Sequence, residues 1–329
     1  MKKTILITGG CGFIGSHFVD LILNLGVYNL VNIDKLTYAA NLEYAKDNLE
    51  KGYKFIKGDI SDFEFLLDIA KTYHPNYIVN FAAETHVDNS LINSDEFIKS
   101  NITGTYNLLK TVLYLNEVAS SDHNSDFEFL KFLQVSTDEV YGEILGKDSF
   151  TEISKIQPNN PYSASKASAD LLCLSYHHTF KLPINISRSS NNYGIRQHRE
   201  KLIPKSIIYA LQNQDIPIYG DGLQIRDWLH VEDNCSALFQ ILLFGESGEV
   251  YNVGSNQEMT NIDLVNAIIN HVPYSKSRVV FVNDRLGHDR RYAINNTKLT
   301  RHLKWSSKFN LQDSIKDVIS YYERLIIKP

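Results

Sequence analysis

Tyr162 and Lys166 lie four residues apart, just after Asn160-Pro161 opens a helical run, and Ser136-Thr137-Asp138-Glu139 closes an apolar run about 25 residues earlier. On a helix, positions i and i+4 share a face, so the Lys166 ammonium is expected within reach of the Tyr162 hydroxyl, lowering a pKa that is otherwise near ~10. A tyrosinate near neutral pH can take a proton from an alcohol or sugar hydroxyl. Plain alcohol oxidation needs only one such base. The apolar run adds the hydroxyl of Thr137 and two adjacent carboxyls, Asp138 and Glu139, so the set implies acid and base steps beyond hydride transfer.

These groups need a scaffold. Short apolar runs at residues 4–8, 30–33, 53–56, 77–81, 129–135 and 184–187 alternate with helical patterns. Alternation of this kind predicts an α/β fold, a doubly wound parallel sheet with helices on both faces. After about residue 190 the pattern loosens, with helices expected near 261–271 and 311–327. We therefore expect a first domain over residues 1–190 carrying the catalytic groups and a smaller α/β substrate-binding region over 191–329, with returns of the chain to the first domain. Residues 120–126 read as a polar loop.

The whole chain excludes several classes. Its 329 residues, 43% hydrophobic and 22% charged, suffice for a substantial core. A net charge of −5 with dispersed Lys and Arg argues against a nucleic-acid partner. No apolar run reaches membrane-spanning length, and residues 4–8 are too brief for a signal core, so a soluble cytoplasmic protein is expected with no membrane partner. Cys11, Cys173 and Cys235 show no metal-ligand spacing, His86, His230 and His288 fall in separate segments, and no metal is expected.

The first apolar run leads into Gly9-Gly10-Cys11-Gly12-Phe13-Ile14-Gly15 and then a helical pattern over residues 16–25. Glycines at i, i+3 and i+6 of a first βα turn let a pyrophosphate approach the backbone, and the helix N-terminus offers free N–H groups. Asp34, at the end of the second run, is placed to accept hydrogen bonds from ribose hydroxyls and to repel a 2′-phosphate, which favours NAD over NADP. A Rossmann-type NAD site is the expectation. Asp59 and Ile60, after the third run, are candidates to meet the adenine.

In such a sheet the strands' carboxyl ends face the ligand crevice, which places Thr137, Asp138 and Glu139 beside the nicotinamide. An Asp-Glu pair after a strand is by default a solvated turn. The Tyr162 and Lys166 context reverses that reading. With these groups stated, the glycine loop, Ser136-Thr137-Asp138-Glu139-Val140-Tyr141-Gly142 and Tyr162-Ser163-Ala164-Ser165-Lys166 resemble the extended short-chain dehydrogenases that act on nucleotide sugars. Further segments narrow the resemblance to the dTDP-glucose 4,6-dehydratase branch: Ala82-Ala83-Glu84-Thr85-His86-Val87-Asp88, Arg188-Ser189-Ser190-Asn191-Asn192-Tyr193-Gly194, Arg226-Asp227-Trp228-Leu229-His230 and Gly287-His288-Asp289-Arg290-Arg291-Tyr292.

The resemblance implies a division of labour. Tyr162, assisted by Thr137 and Lys166, would deprotonate the sugar 4-hydroxyl; Glu139 would remove the C5 proton; Asp138 would protonate the departing C6 hydroxyl. It adds Lys35, Thr37, Ala82, Ala83, Ser100 and Asn192, with Tyr162 and Lys166, to the NAD contacts. For the nucleotide sugar, dTDP-glucose, it implies Thr85, Thr137, Asn191, Lys201, Leu202, Arg226, Asn261, Arg285, His288 and Tyr292, with Ile218 and Tyr219 flanking the base. Family members are dimers, and the stripe Ala164, Ala167, Leu171 and Leu174 is either core or the seam of a homodimer.

The chain departs from the family pattern at Cys11, Asn89 and residues 195–199, none of which removes a catalytic group. The competing readings are a 4-epimerase, which has no need of the Asp-Glu pair, and a catalytically silent NAD-sensing protein, which would be free to lose these side chains.

Overall fold

The computed structural model describes residues 2–46, 52–121 and 127–327. Its first part runs β1 (Lys3–Thr8), α1 (Phe13–Leu25), β2 (Tyr28–Asp34), α2 (Glu43–Lys46), β3 (Tyr53–Lys57), α3 (Phe63–Tyr73) and β4 (Tyr77–Asn80). Short helices α4 (Val87–Ile92) and α5 (Asp95–Phe97) lead through a π-helical segment, Ile98–Gly104, into α6 (Thr105–Ser121), β5 (Lys131–Thr137), α7 (Pro161–Phe180) and β6 (Ile184–Ser189). Then follow β7 (Asn191–Tyr193), α8 (Leu202–Leu211), β8 (Ile216–Tyr219), β9 (Ile225–His230), α9 (Val231–Phe244) and β10 (Val250–Val253). The last elements are β11 (Glu258–Thr260), α10 (Asn261–Asn270), β12 (Val279–Val282), α11 (Thr297–Leu303) and α12 (Leu311–Ile327).

Seven strands form one sheet in the order β10-β6-β5-β4-β1-β2-β3, every neighbouring pair parallel. The chain leaves β1 toward β2 and β3, then returns to lay β4 on β1's other side. That reversal opens a crevice outside the carboxyl ends of the strands. Side chains alternate across the sheet, so Ile5, Ile7, Leu133 and Val135 join the core under α1 and α9, while Leu6 and Phe132 join the core under α3, α6 and α7. All seven residues of β5 are buried, as expected for a central strand covered on both faces. Each fully buried aliphatic side chain there contributes about 1.5–3 kcal/mol by leaving water. A strand held so firmly delivers its last residue, Thr137, to a fixed place at the crevice.

Beyond β6 the chain builds a three-stranded sheet, β11-β9-β7, and a two-stranded sheet, β12-β8, around a third core under α8, α10 and α12. Strand β10, from this later half, pairs with β6 and extends the large sheet. The Val-Tyr-Asn-Val run that forms it was too short to be picked out as a strand in the sequence.

Helix α7 begins where its cap dictates. The Asn160 side chain accepts from Ser163 N at 2.9 Å, Ser163 Oγ faces Asn160 N at 3.3 Å, and Pro161 occupies the first turn. A cap of this type stabilises a helix by about 1 kcal/mol and, more usefully here, sets the rotation of Tyr162 and Lys166 about the helix axis.

The apolar stripe of α7 divides. Ala167 is buried against Val140, Tyr141 and Ile294 and Leu174 packs on the sheet's second core, whereas Ala164 and Leu171 face outward. Of the expected polar loop, Ser120 and Ser121 belong to α6 and residues 122–126 lie outside the described residues. Among the described residues, no helix is long and apolar enough to cross a membrane, and all three cysteines are buried free thiols.

Candidate active site

A cavity of about 300 Å³ follows the carboxyl ends of β1, β2, β4, β5 and β6. It is lined by all five catalytic candidates and by every residue expected to touch the cofactor, from the glycine loop through Asp34, Lys35, Thr37, Asp59, Ile60, Ala82, Ala83 and Ser100 to Asn192. Residues from Gly9 to Asn192 thus share one space because parallel strands end on one edge.

The glycine loop fits a pyrophosphate. Gly9 has φ +75°, and a Cβ there would stand 2.6 Å from Ala82 N; a Cβ on Gly15 would collide with the Gly9 carbonyl oxygen. Helix α1 opens on Gly12 with no side-chain cap and no acidic residue in its first turn, leaving its N–H groups and positive dipole end to an anion. Asp34 closes the loop from below, its two oxygens accepting from Cys11 N at 2.9 Å and Leu36 N at 2.8 Å. Burial pushes its carboxyl pKa up, and these two N–H donors oppose that rise. The Lys35 ammonium is committed to Asp59 at 3.1 Å and Glu96 at 3.2 Å, so it is not free to meet a 2′-phosphate.

At the chemical end, Lys166 is buried and its Nζ donates to Val135 O at 2.7 Å. Burial lowers its pKa to about 8 against the opposing charge of Asp170. Tyr162 packs edge-on to Phe97, with ring centroids 6.4 Å apart, and hydrogen-bonds to Thr137. Its phenol is pushed above the ordinary value, by burial first and the Glu139 charge second. The expectation that Lys166 dominates Tyr162 is therefore corrected: desolvation and a facing carboxylate outweigh the i+4 ammonium, which spends its hydrogen bond on the β5 backbone.

The two carboxyls are unequal. Thr137 Oγ1 lies 3.4 Å from Asp138 Oδ1 and 3.3 Å from Glu139 N, starting a single 3-10 turn that aims adjacent residues differently. Asp138 Oδ2 and Glu139 Oε2 are both buried without a hydrogen-bond partner, poised for a ligand. Burial, the Glu139 charge and Asp227 drive the Asp138 carboxyl well above the usual range. Burial also raises Glu139, with Arg285, Arg226 and Lys201 opposing part of that rise. The surroundings thus push the two carboxyls unequally, a difference that an acid-base pair can use.

Of the expected nucleotide-sugar contacts, Thr85, Thr137, Asn191 and Lys201 line the same cavity, and Lys201 Nζ donates to Thr85 O at 3.1 Å. Arg226, 5% exposed, lies 4.2 Å over the Tyr292 ring and donates to Asp289 O at 2.9 Å. Asp88 accepts from Tyr219 Oη at 3.2 Å and stands 3.8 Å from Arg285 Nη1. His288 pairs with Asp284 at 2.6 Å and lies edge-on to Tyr219.

Ile218 is not brought to the site. It is 2% exposed in the third core, because alternation on β8 turns it inward and Tyr219 outward. Leu202 opens α8 and packs toward the same core, and Asn261 opens α10 with its N–H on Gln224 O; these two, like Tyr219, Arg226, Arg285, His288 and Tyr292, lie outside the lining of the cavity.

The profile of the family described as GDP-mannose 4,6 dehydratase matches residues 6–318. The chain belongs to this family. It is 41% identical over 332 residues to the dTDP-glucose 4,6-dehydratase of Haemophilus influenzae, covering 97% of each chain. It is 44% identical over 319 residues to the low-salt glycan biosynthesis protein Agl12 of Haloferax volcanii, covering 97% of this chain and 98% of that one. Among solved structures it resembles a dTDP-glucose 4,6-dehydratase of Streptomyces venezuelae crystallised with NAD and TYD bound, at TM-score 0.90 and 36% identity over 98% of this chain and 97% of that one.

Several residues of this family member's site escaped sequence reasoning. Asn101, in the π-helical segment, braces the cavity wall: its Oδ1 accepts from Glu84 N at 2.9 Å, and its Nδ2 donates to Glu84 O at 3.1 Å and Ser165 Oγ at 2.8 Å. The available signal was a polar side chain beside the poor helix formers Thr103 and Gly104. Residues 195–199, a departure from the family pattern expected to border the sugar site, do reach the cavity: Gln197 and His198 line it, while Arg196 ties the loop to α1 through Asp20 at 2.7 Å.

A test of Asp34 as the residue that reads the cofactor ribose is its replacement. Asp34→Ala removes a charged acceptor worth about 1.5–3 kcal/mol to a ribose hydroxyl. The expected result is a fall of about tenfold or more in the ratio of NAD to NADP affinity, read by titrating both. An unchanged ratio would remove Asp34 from that role.

Proposed function

We propose that this protein is an NAD-dependent hydro-lyase that converts dTDP-glucose to dTDP-4-keto-6-deoxyglucose. The observation that carries the reading is the pair Asp138 and Glu139, each with one buried oxygen that no protein group partners, unequally held in one cavity with Tyr162, Thr137 and Lys166. A 4-epimerase or a silent NAD-binding protein has no use for that pair.

The glycine loop and the α1 N-terminus would hold the cofactor pyrophosphate, Asp34 the adenosine ribose, and the Lys166 end of the cavity the nicotinamide. NAD+, when bound, supplies a hydride acceptor for the sugar C4, the hydride later returned to C6, and a positive ring charge that favours phenolate over phenol. Tyr162 takes the 4-hydroxyl proton, with Thr137 as its hydrogen-bond partner and Lys166 as the nearby cation. The resulting 4-ketone acidifies the C5–H bond, and Glu139 accepts that proton. Asp138, held protonated by burial and by its neighbour's charge, gives its proton to the C6 hydroxyl, which leaves as water. Glu139 then returns a proton to C5. One water is lost, the cofactor ends as it began, and the proton gained by Tyr162 balances the one given by Asp138, exchange with solvent restoring both groups.

The base preference for thymine rests on the relatives and on Asp138, since by resemblance the GDP-mannose enzymes carry Ser at that place. Arg226, Arg285 and Lys201 are the candidate cations for the diphosphate. Incubation with dTDP-glucose, UDP-glucose and GDP-mannose in turn should give a product lighter by one water from dTDP-glucose far faster than from the others. Preferential use of GDP-mannose would overturn the substrate, and an isomer of unchanged mass would overturn the reaction.

The protein acts as a homodimer in this reading. Tyr106 on α6, with Leu171 and Phe180 on α7, are 41%, 55% and 45% exposed, an apolar face on two adjacent helices that a second copy would cover. Light scattering should give twice the chain mass, and Leu171→Glu should halve it. A monomeric native protein would refute the dimer.

A further inference from the structure

One turn beyond Lys166, helix α7 carries a buried acid that none of these steps uses. Lys166 and Asp170 occupy i and i+4 of the helix, 4% and 0% exposed. Asp170 Oδ2 accepts from Arg188 Nε at 2.9 Å. Arg188, itself 2% exposed, comes from β6, and its guanidinium carbon lies 4.7 Å over the Tyr141 ring. Asp170 Oδ1 is buried with no hydrogen-bond partner. A buried carboxylate with one oxygen tethered and the other left over is costly unless a further cation faces it. The cation on the same helix face is the Lys166 ammonium.

We propose that Asp170 is a positioning residue for the proton-abstracting pair: tethered by Arg188, its carboxylate keeps Lys166 in the ammonium form that supports Tyr162. The inference rests on the role given to Lys166 above. The groups around this ammonium are few. On α7 they are Asp170, Cys173 and, one turn earlier, Tyr162; β5 presents the Val135 carbonyl, β6 presents Arg188 behind Asp170, and the turn after β5 presents Asp138 and Glu139 to Tyr162. Burial holds Cys173 far above the usual thiol range, so it stays neutral. Burial drives Lys166 down and Asp170 is the chief opposing charge. Asp170 also acts on Tyr162 directly and raises it. The two effects separate along the pH axis: with the ammonium titrating below the phenol, the rise of the rate ends where Lys166 loses its proton and the later fall begins where Tyr162 loses its own.

The test compares the pH dependence of C4 oxidation in three forms of the holoenzyme given dTDP-glucose: native, Asp170→Asn, and Asp170→Asn/Arg188→Met. A neighbouring opposite charge moves a pKa by about one to three units. The rise of the rate with pH should end near ~8 in the native protein, about one unit or more lower in Asp170→Asn, where the Arg188 charge remains, and between these in the double variant, where both charges are gone. An end point that stays in place, or that drops further in the double variant than in the single, overturns the proposal. Thermal unfolding reports folding, and should Asp170→Asn fail to fold, the double variant leaves no unpaired buried charge and must still show a lower end point than native. Lys166→Met separates the two readings: native oxidation in that variant refutes the role of Lys166, whereas its inactivity with an unmoved end point in the Asp170 variants refutes only the role of Asp170.

Discussion

Tyr162→Phe should lower the rate of C4 oxidation about a thousandfold, within the range that a positioned general base contributes, while leaving the fold intact. The ring that packs against Phe97 and Val87 is retained, and only the hydroxyl that faces Thr137 is lost. NAD affinity should change by no more than the loss of one neutral hydrogen bond, about tenfold or less. Stopped-flow absorbance of NADH on mixing with dTDP-glucose reads the oxidation directly, and a native rate in the variant would show that another group takes the proton. The native pH profile has a definite sign. Because burial and the Glu139 charge hold the phenol proton on, oxidation should rise with pH, and Glu139→Gln, which removes that charge, should move the later fall of the rate to lower pH.

Asp138→Asn should slow loss of water about a hundredfold and leave C4 oxidation largely intact. Burial and the Glu139 charge push the native carboxyl well above the usual range, and an amide of the same shape enters without desolvating a new charge. What disappears is the proton for the C6 hydroxyl. Reduced cofactor should then accumulate during turnover, visible as a persistent NADH band that native protein shows only transiently. A group that must be protonated to act loses activity as pH rises through its raised pKa, so native dehydration should carry an alkaline limb of this origin that Asp138→Asn lacks. Dehydration at the native rate in the variant would strip Asp138 of the acid role.

These two predictions draw on different kinds of information. That Tyr162, Lys166, Thr137 and the two carboxyls belong to one site was legible in the sequence, because each lies beside a local signal: a capped helix start, the end of an apolar strand, a glycine turn. The strands of the doubly wound sheet were equally legible, since alternation and apolar runs are properties of neighbouring residues. β10 was not, because four residues such as Val250–Val253 become a strand only when β6 offers them an edge. Ile218 was assigned to the base pocket for a related reason. The face a residue presents on a short strand depends on what packs beneath it, and here α8, α10 and α12 do.

Residue types, their spacing and the crevice they would share were determined by the chain itself, through short-range stereochemistry and the period of its apolar positions. Protonation was decided only by the tertiary structure. Whether Asp138 or Glu139 keeps its proton, whether Lys166 raises or loses its influence over Tyr162, and whether Asp170 is answered by Arg188 all depend on desolvation and on charges brought close from residues tens to more than a hundred positions away. Electrostatic energy depends on distance and burial in three dimensions, and neither can be read along the chain.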